Sequence, residues 1–171
     1  TICSIKYWER LAEYHKYKGR ICFRGDSTRD QDGALAVFPE MSSSPTAIHT
    51  ANANLAYGCI EGNDTEQADA VRAYVQALLK SVYKTWVRIP KELWLPSWHG
   101  RYTRPMCLLV KSLYGHPEAG GHWENHLTNA VRGCGSDPIA NHPSSYWFKD
   151  LKLLMSVVRR RLARVWPKGQ S

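Results

Sequence analysis

Three groups of side chains have types and spacings that could do chemistry. Lys18, Arg20 and Arg24 surround the short apolar run Ile21-Cys22-Phe23, and on an extended strand evenly spaced residues share a face, so the three could grip phosphates. A solvated basic edge strand has the same pattern. Asp69 stands between a strand-like stretch, 58–68, and an apolar helical stretch, with Tyr74 five residues further on. Such an aspartate is either a catalytic carboxylate or a helix N-cap. His122-Trp-Glu-Asn-His126 puts two imidazoles at the i, i+4 spacing of zinc sites, but it lacks the metalloprotease order and an evident third ligand. Asp30-Gln-Asp32-Gly33 imitates part of a calcium loop, yet Thr28 and Pro39 occupy its first and twelfth ligand positions, which leaves a polar turn.

The elements that must position these groups follow from apolar periodicity. Ile5, Trp8, Leu11 and Ala12 recur at helical spacing within 1–13, and 16–25 reads as a strand ending in a turn. Residues 45–57 form an Ala-rich helix between a Ser-Pro start and Gly58. Val71, Tyr74, Val75, Leu78, Leu79 and Val82 predict an amphipathic helix within 69–82. Strands are expected at 86–89 and 106–110, a Gly/Pro turn at 112–121 and a helix at 122–131. Two apolar segments, 146–148 and 151–158, meet at Lys149-Asp150 as a hairpin. Strands and helices mixed without βαβ regularity predict an α+β fold.

The 171 residues suffice for one ordinary domain with a real core. Five of the charges behind the net +8 are Arg159, Arg160, Arg161, Arg164 and Lys168, so the body is only mildly basic. Five scattered cysteines, odd in number and without a Cys-x-x-Cys pair, argue against a disulfide framework and for a reducing compartment. No apolar run reaches membrane-spanning length and no signal-peptide core stands at the N-terminus. The expectation is an intracellular protein, cytoplasmic or nuclear, without a membrane partner.

The string Lys111-Ser-Leu-Tyr-Gly115-His-Pro-Glu-Ala-Gly-Gly-His-Trp123 resembles the Ser-Leu-Tyr-Gly…Trp segment of copia-type LTR retrotransposon reverse transcriptases, the RNA-directed DNA polymerases of Pol polyproteins. Four further pieces occur in family order. Tyr17-Lys-Gly-Arg-Ile-Cys-Phe-Arg-Gly25 looks like the fingers motif, and Asp69-Ala-Val-Arg-Ala-Tyr74-Val like the first catalytic motif. Trp86-Val-Arg-Ile-Pro90 is similar to the strand after it, and His142–Phe148 with Leu151–Val157 to the strands leading to the active-site hairpin. The resemblance covers about 16–157 and leaves 1–15 unmatched. It implies a nucleotidyltransferase palm and fingers that take template-primer and dNTP, with Mg²⁺ ions held by carboxylates. It assigns metal binding and catalysis to Asp69, triphosphate contacts to Lys18 and Arg20, and packing under the incoming sugar to Tyr74. Arg24 and Lys111 are the further cations expected against nucleic acid. Glu118 stands in the nucleotide-side turn where the family carries Gln, and a carboxylate there would repel a triphosphate.

The largest departure is at 158–171. After Met155-Ser156-Val157 the family continues Tyr-Val-Asp-Asp and an apolar strand, whereas this chain reads Val158-Arg-Arg-Arg-Leu-Ala-Arg-Val-Trp-Pro167. Those residues can be encoded so that reading one base forward gives Tyr-Val-Asp-Asp-Leu-Leu-Val-Ser-Gly, which points to a frameshift. The expectation is therefore a catalytically dead fragment, its sheet incomplete at the C-terminus, 151–158 left as an exposed apolar edge and 158–171 a basic tail. An alternative function is a nucleic-acid-binding remnant that uses the basic fingers and the arginines.

Overall fold

The computed structural model describes residues 2–38, 46–158 and 161–169. Strands β1 (Ile2–Lys6) and β2 (Lys16–Arg20) pair antiparallel as a two-stranded ribbon. Helix α1 (Ile48–Gly58), strand β3 (Asn63–Asp69) and the single turn α2 (Ala73–Gln76) follow. A second ribbon pairs β4 (Trp86–Arg88) with β5 (Met106–Leu108). Helix α3 (Ala119–Gly133) leads to β6 (Asp137–Pro138), β7 (Ser145–Phe148), β8 (Leu153–Val158) and β9 (Arg161–Pro167). The main sheet has the order β3-β9-β8-β7-β6, with every neighbouring pair antiparallel. The α+β expectation holds at that level.

The two faces of this sheet carry different layers, because successive strand side chains alternate. Val131 of α3 packs with Tyr146, Met155 and Val157, and Leu127, Phe148, Leu153 and Leu162 close round them. On the opposite face lie Ser145, Ser156 and Ala163, small residues against which α1 sets the buried Asn54. Its amide donates to Ser156 Oγ at 2.7 Å and to the Ala163 carbonyl at 3.2 Å. A polar side chain under a helix is tolerable only when bonded in this way.

Three expectations are corrected. The helical spacing within 1–13 does not make a helix: Ile2–Lys6 pairs with β2, and Tyr7 turns the chain with φ 61°. His15 Nε2 then fastens the connection, 3.1 Å from the Trp8 carbonyl and 3.0 Å from that of Arg10. Of the helix predicted within 69–82 only α2 forms. Arg72 enters it in the left-handed region and Ala77 leaves it extended. Cross-chain backbone bonds then win over local propensity, as Leu79 N–H donates to Val110 O and Ser112 N–H to Ala77 O, both at 2.9 Å.

The third correction concerns the C-terminal arginines. Arg161–Pro167 is not a free tail but the strand that fills the gap between β3 and β8, so 153–158 is not an open edge and the sheet is not incomplete there. Burial explains the position: Val165, 3% exposed, lies opposite Thr65 and Leu154. Charge adds to it. Arg164 Nε donates to Glu66 at 2.9 Å, Lys168 lies 3.9 Å from Asp64, and Arg161 stands opposite Asp69. Opposite charges across a strand pair stabilise it modestly, and solvent screens exposed pairs further.

Val165→Ala is expected to lower unfolding stability by about 2 kcal/mol, from lost burial and an unfilled cavity. A chain ended at Val158 should lose cooperative unfolding altogether. Urea titration followed by tryptophan fluorescence measures both, and a truncated chain that unfolds like the full one would show that β9 is dispensable.

Candidate functional site

The segments singled out in the sequence meet around the turn at 112–118. Phe23 N–H donates to the Tyr114 carbonyl at 2.6 Å. That approach depends on two glycines. Gly115 has φ 89°, and a Cβ there would overlap the Phe23 carbonyl oxygen. A Cβ on Gly25 would lie 2.5 Å from Gly115 O and 2.8 Å from Pro117 Cδ. Tyr74 of α2 meets Tyr114 edge to face, ring centroids 4.9 Å apart. The stretches around 17–25, 69–75 and 111–123 therefore fold against one another.

Beneath the turn is a polar interior. Glu118 is 2% exposed and accepts a hydrogen bond from Ser81 Oγ, with His122 Nε2 3.9 Å from the same carboxylate oxygen. His116 is buried between the rings of Phe23 and Phe38, at 5.2 and 5.1 Å. Its Nδ1 accepts the Glu118 backbone N–H at 3.2 Å, which leaves the proton of a neutral ring on Nε2, 3.1 Å from Thr85 Oγ1. Desolvation holds the His116 pKa below its ordinary 6.5; the Glu118 charge opposes that shift and His122 adds to it.

The predicted residues are distributed unevenly over this arrangement. Tyr74 is half-buried at the turn, and Asp69 is exposed at the end of β3. Lys18 and Arg20 lie on β2, whereas Arg24 lies beyond the strand and bonds Asp26 at 3.2 Å. That guanidinium depresses the Asp26 pKa, first by its hydrogen bond and then by its charge. Lys111 is exposed and its backbone bridges Leu78. Glu118 faces inward, so the repulsion expected between its carboxylate and a triphosphate has no surface on which to act.

His122 and His126 do not converge, since the first is buried near Glu118 and the second lies exposed against the Trp123 ring at 5.9 Å. Asp30 Oδ1 accepts the backbone N–H groups of Asp32 and Ala34, both at 2.9 Å, as a polar turn does. Ser81, Thr85 and His116 had no functional reading in the sequence. Their partners lie 31 to 37 residues away, beyond any local spacing rule.

No family model, curated protein or solved structure matches the chain.

The donor set at Asp69 does not suit a pair of divalent cations. Among the described residues no three His, Cys, Asp or Glu side chains converge as a metal-holding group, and the cross-strand neighbour of Asp69 is the cation Arg161. A guanidinium there competes for the carboxylate that a metal would need. Nor is any helix long and apolar enough to cross a membrane among the described residues.

Gly115→Ala should cost on the order of 2 kcal/mol or more, since it combines a left-handed φ with overlap against Phe23. Chemical denaturation measures this, and an unchanged midpoint would mean that the contact with Phe23 is not made. The second expectation concerns pH. Above 6.5 the His116 ring is neutral in folded and unfolded chains alike; below it the unfolded chain takes up a proton that the folded chain resists, so stability falls with acid. The slope from this group is at most about 1.4 kcal/mol per pH unit. His116→Gln should flatten the fall in melting temperature below neutral pH, and an identical fall in the variant would remove His116 as its source.

Proposed function

We propose that this chain is a fragment of a copia-type reverse transcriptase, its parent activity template-directed DNA synthesis, and that it is catalytically inactive as it stands. The observation that carries the reading is the neighbourhood of Asp69. The chain reaches that carboxylate at the end of β3, and across from it β9 begins at Arg161, which pairs with both Asp69 and Val158. In the family the corresponding four residues are Tyr-Val-Asp-Asp, and here they are Val158-Arg-Arg-Arg161. The convergence of the turn at 112–118 with Phe23, Gly25 and Tyr74 also supports the reading, because these belong to separate motifs of the resemblance.

The chemistry of inactivity is charge neutralisation. Phosphoryl transfer concentrates negative charge on the primer oxygen and the triphosphate, and the family meets it with two cations held by a carboxylate cluster. One carboxylate facing an arginine cannot hold that pair. A binding role for the arginines is less favoured, since Arg164 and Lys168 are set against Glu66 and Asp64.

Restoring the family residues tests the reading through metal binding. The unmodified chain is expected to show no Mn²⁺ titration, whereas Val158→Tyr, Arg159→Val, Arg160→Asp and Arg161→Asp together should create a Mn²⁺ site that Asp69→Ala then removes. Electron paramagnetic resonance counts free Mn²⁺ directly. A restored chain that binds none, or template-dependent primer extension by the unmodified chain that Asp69→Ala abolishes, would overturn it. The coding DNA gives an independent check, for it should carry two aspartate codons in the shifted frame beside codon 158.

A further inference from the structure

One face of α3 and the chain that follows it enclose a cleft of about 370 Å³, a volume in the range of small-molecule sites. Glu124, Thr128 and Arg132 recur every four residues, so they form one stripe along the helix, and all three line the cleft. The opposite wall is the loop 138–144, and the buried Tyr146 of β7 lines the space as well. That loop is fastened at several points. His142 Nδ1 lies 2.8 Å from Thr50 Oγ1, while the Ser144 carbonyl accepts the Val157 N–H at 2.9 Å and the Thr46 hydroxyl at 3.0 Å. Asn141 and Ser144 hold φ values of 60° and 54°, which residues with a Cβ keep only where their surroundings impose them. A wall fixed in this way loses little freedom when a ligand enters.

The polar groups of the cleft are ordered along the helix axis. Glu124, which accepts a hydrogen bond from Ser144 Oγ at 3.2 Å, stands at one end. Arg132 stands two turns away, about 12 Å along the axis, and forms no ion pair among the described residues. Midway, Thr128 Oγ1 and the Tyr146 hydroxyl lie 2.7 Å apart. One of these hydroxyls donates to the other, so the pair keeps one proton to donate elsewhere.

We propose that this cleft binds a short peptide with free termini, its ammonium group at Glu124, its carboxylate at Arg132 and a backbone carbonyl at the Thr128–Tyr146 pair. An extended residue spans at most about 3.6 Å, so the length of a tripeptide matches the separation of the two charges. A free amino acid carries both charges on one carbon and reaches only one end. An inorganic anion would satisfy Arg132 but leave Glu124 facing a like charge. The guanidinium suits a carboxylate, which it can grip through two parallel hydrogen bonds. Asp69, Tyr74 and the cations assigned to nucleotide do not line this cleft, so the proposal and the polymerase reading stand or fall separately.

The probe is trialanine, titrated into the full nitrogen-15-labelled chain and followed by amide chemical shifts. Saturable shifts centred on 124–132 and 138–146 are expected. Acetylating the peptide's N-terminus or amidating its C-terminus should each weaken binding on the order of tenfold, since each removes a charge-assisted contact. Arg132→Gln should weaken trialanine by a similar factor yet bind the amidated peptide as the parent does. Glu124→Gln should behave in the same way towards the acetylated peptide. A purely structural role for either side chain would instead lower the affinity for every peptide alike. The amino acid ε-aminocaproate carries both charges on a chain without a peptide carbonyl and should bind more weakly than trialanine. Three results would overturn the proposal: no saturable shifts, blocked peptides that bind as tightly as the free one, or an Arg132→Gln loss that is equal for free and amidated peptides. Equal binding of ε-aminocaproate would overturn a peptide as the ligand.

Discussion

An unpaired strand edge presents a row of backbone donors and acceptors, and β8 is the strand this fold can least leave open, with Met155, Ser156 and Val157 all buried. β9 closes it. By lying between β3 and β8 it joins the two into one sheet, and it completes the surfaces on which α1 and α3 rest. The core around Val131 and Tyr146 and the polar seat of Asn54 both use side chains or backbone of that interior strand, Leu162 on one face and the Ala163 carbonyl on the other. The same insertion sets Arg161 opposite Asp69 across the strand pair.

The charges of the chain divide by what faces them. On β9 the cations meet acids of β3 in register and are partly neutralised within the sheet. On the first ribbon Lys6 stands directly opposite Lys16. A net charge says nothing of this division, because it sums groups whose fields cancel with groups whose fields add.

Around the turn at 112–118 the constraint is steric before it is electrostatic. Gly25 and Gly115 let two backbones approach more closely than any side chain would permit, and that approach brings Phe23 over His116. Once the ring is enclosed, burial selects its neutral form, and the Glu118 N–H and Thr85 hydroxyl fix which nitrogen holds the proton. Glu118 belongs to the same interior, where Ser81 supplies the donor its carboxylate requires.

The sequence by itself determined α1, α3, β4, β5 and the β7–β8 hairpin to within a few residues, since each carries its own apolar pattern or stop signals. The resemblance also grouped Tyr74 with the 111–123 turn, and Tyr74 meets Tyr114 there edge to face. Only the tertiary structure decided the rest. Residues 2–6 became a strand because β2 offered partners, and most of 69–82 left the helix because the chain at 110–112 offered better hydrogen bonds. Arg161–Pro167, whose charges suggested a tail, became an interior strand because Val165 could be buried and the acids of β3 lay opposite its cations. Pairing across a hundred residues is set by what another strand presents, and no local window of sequence contains that information.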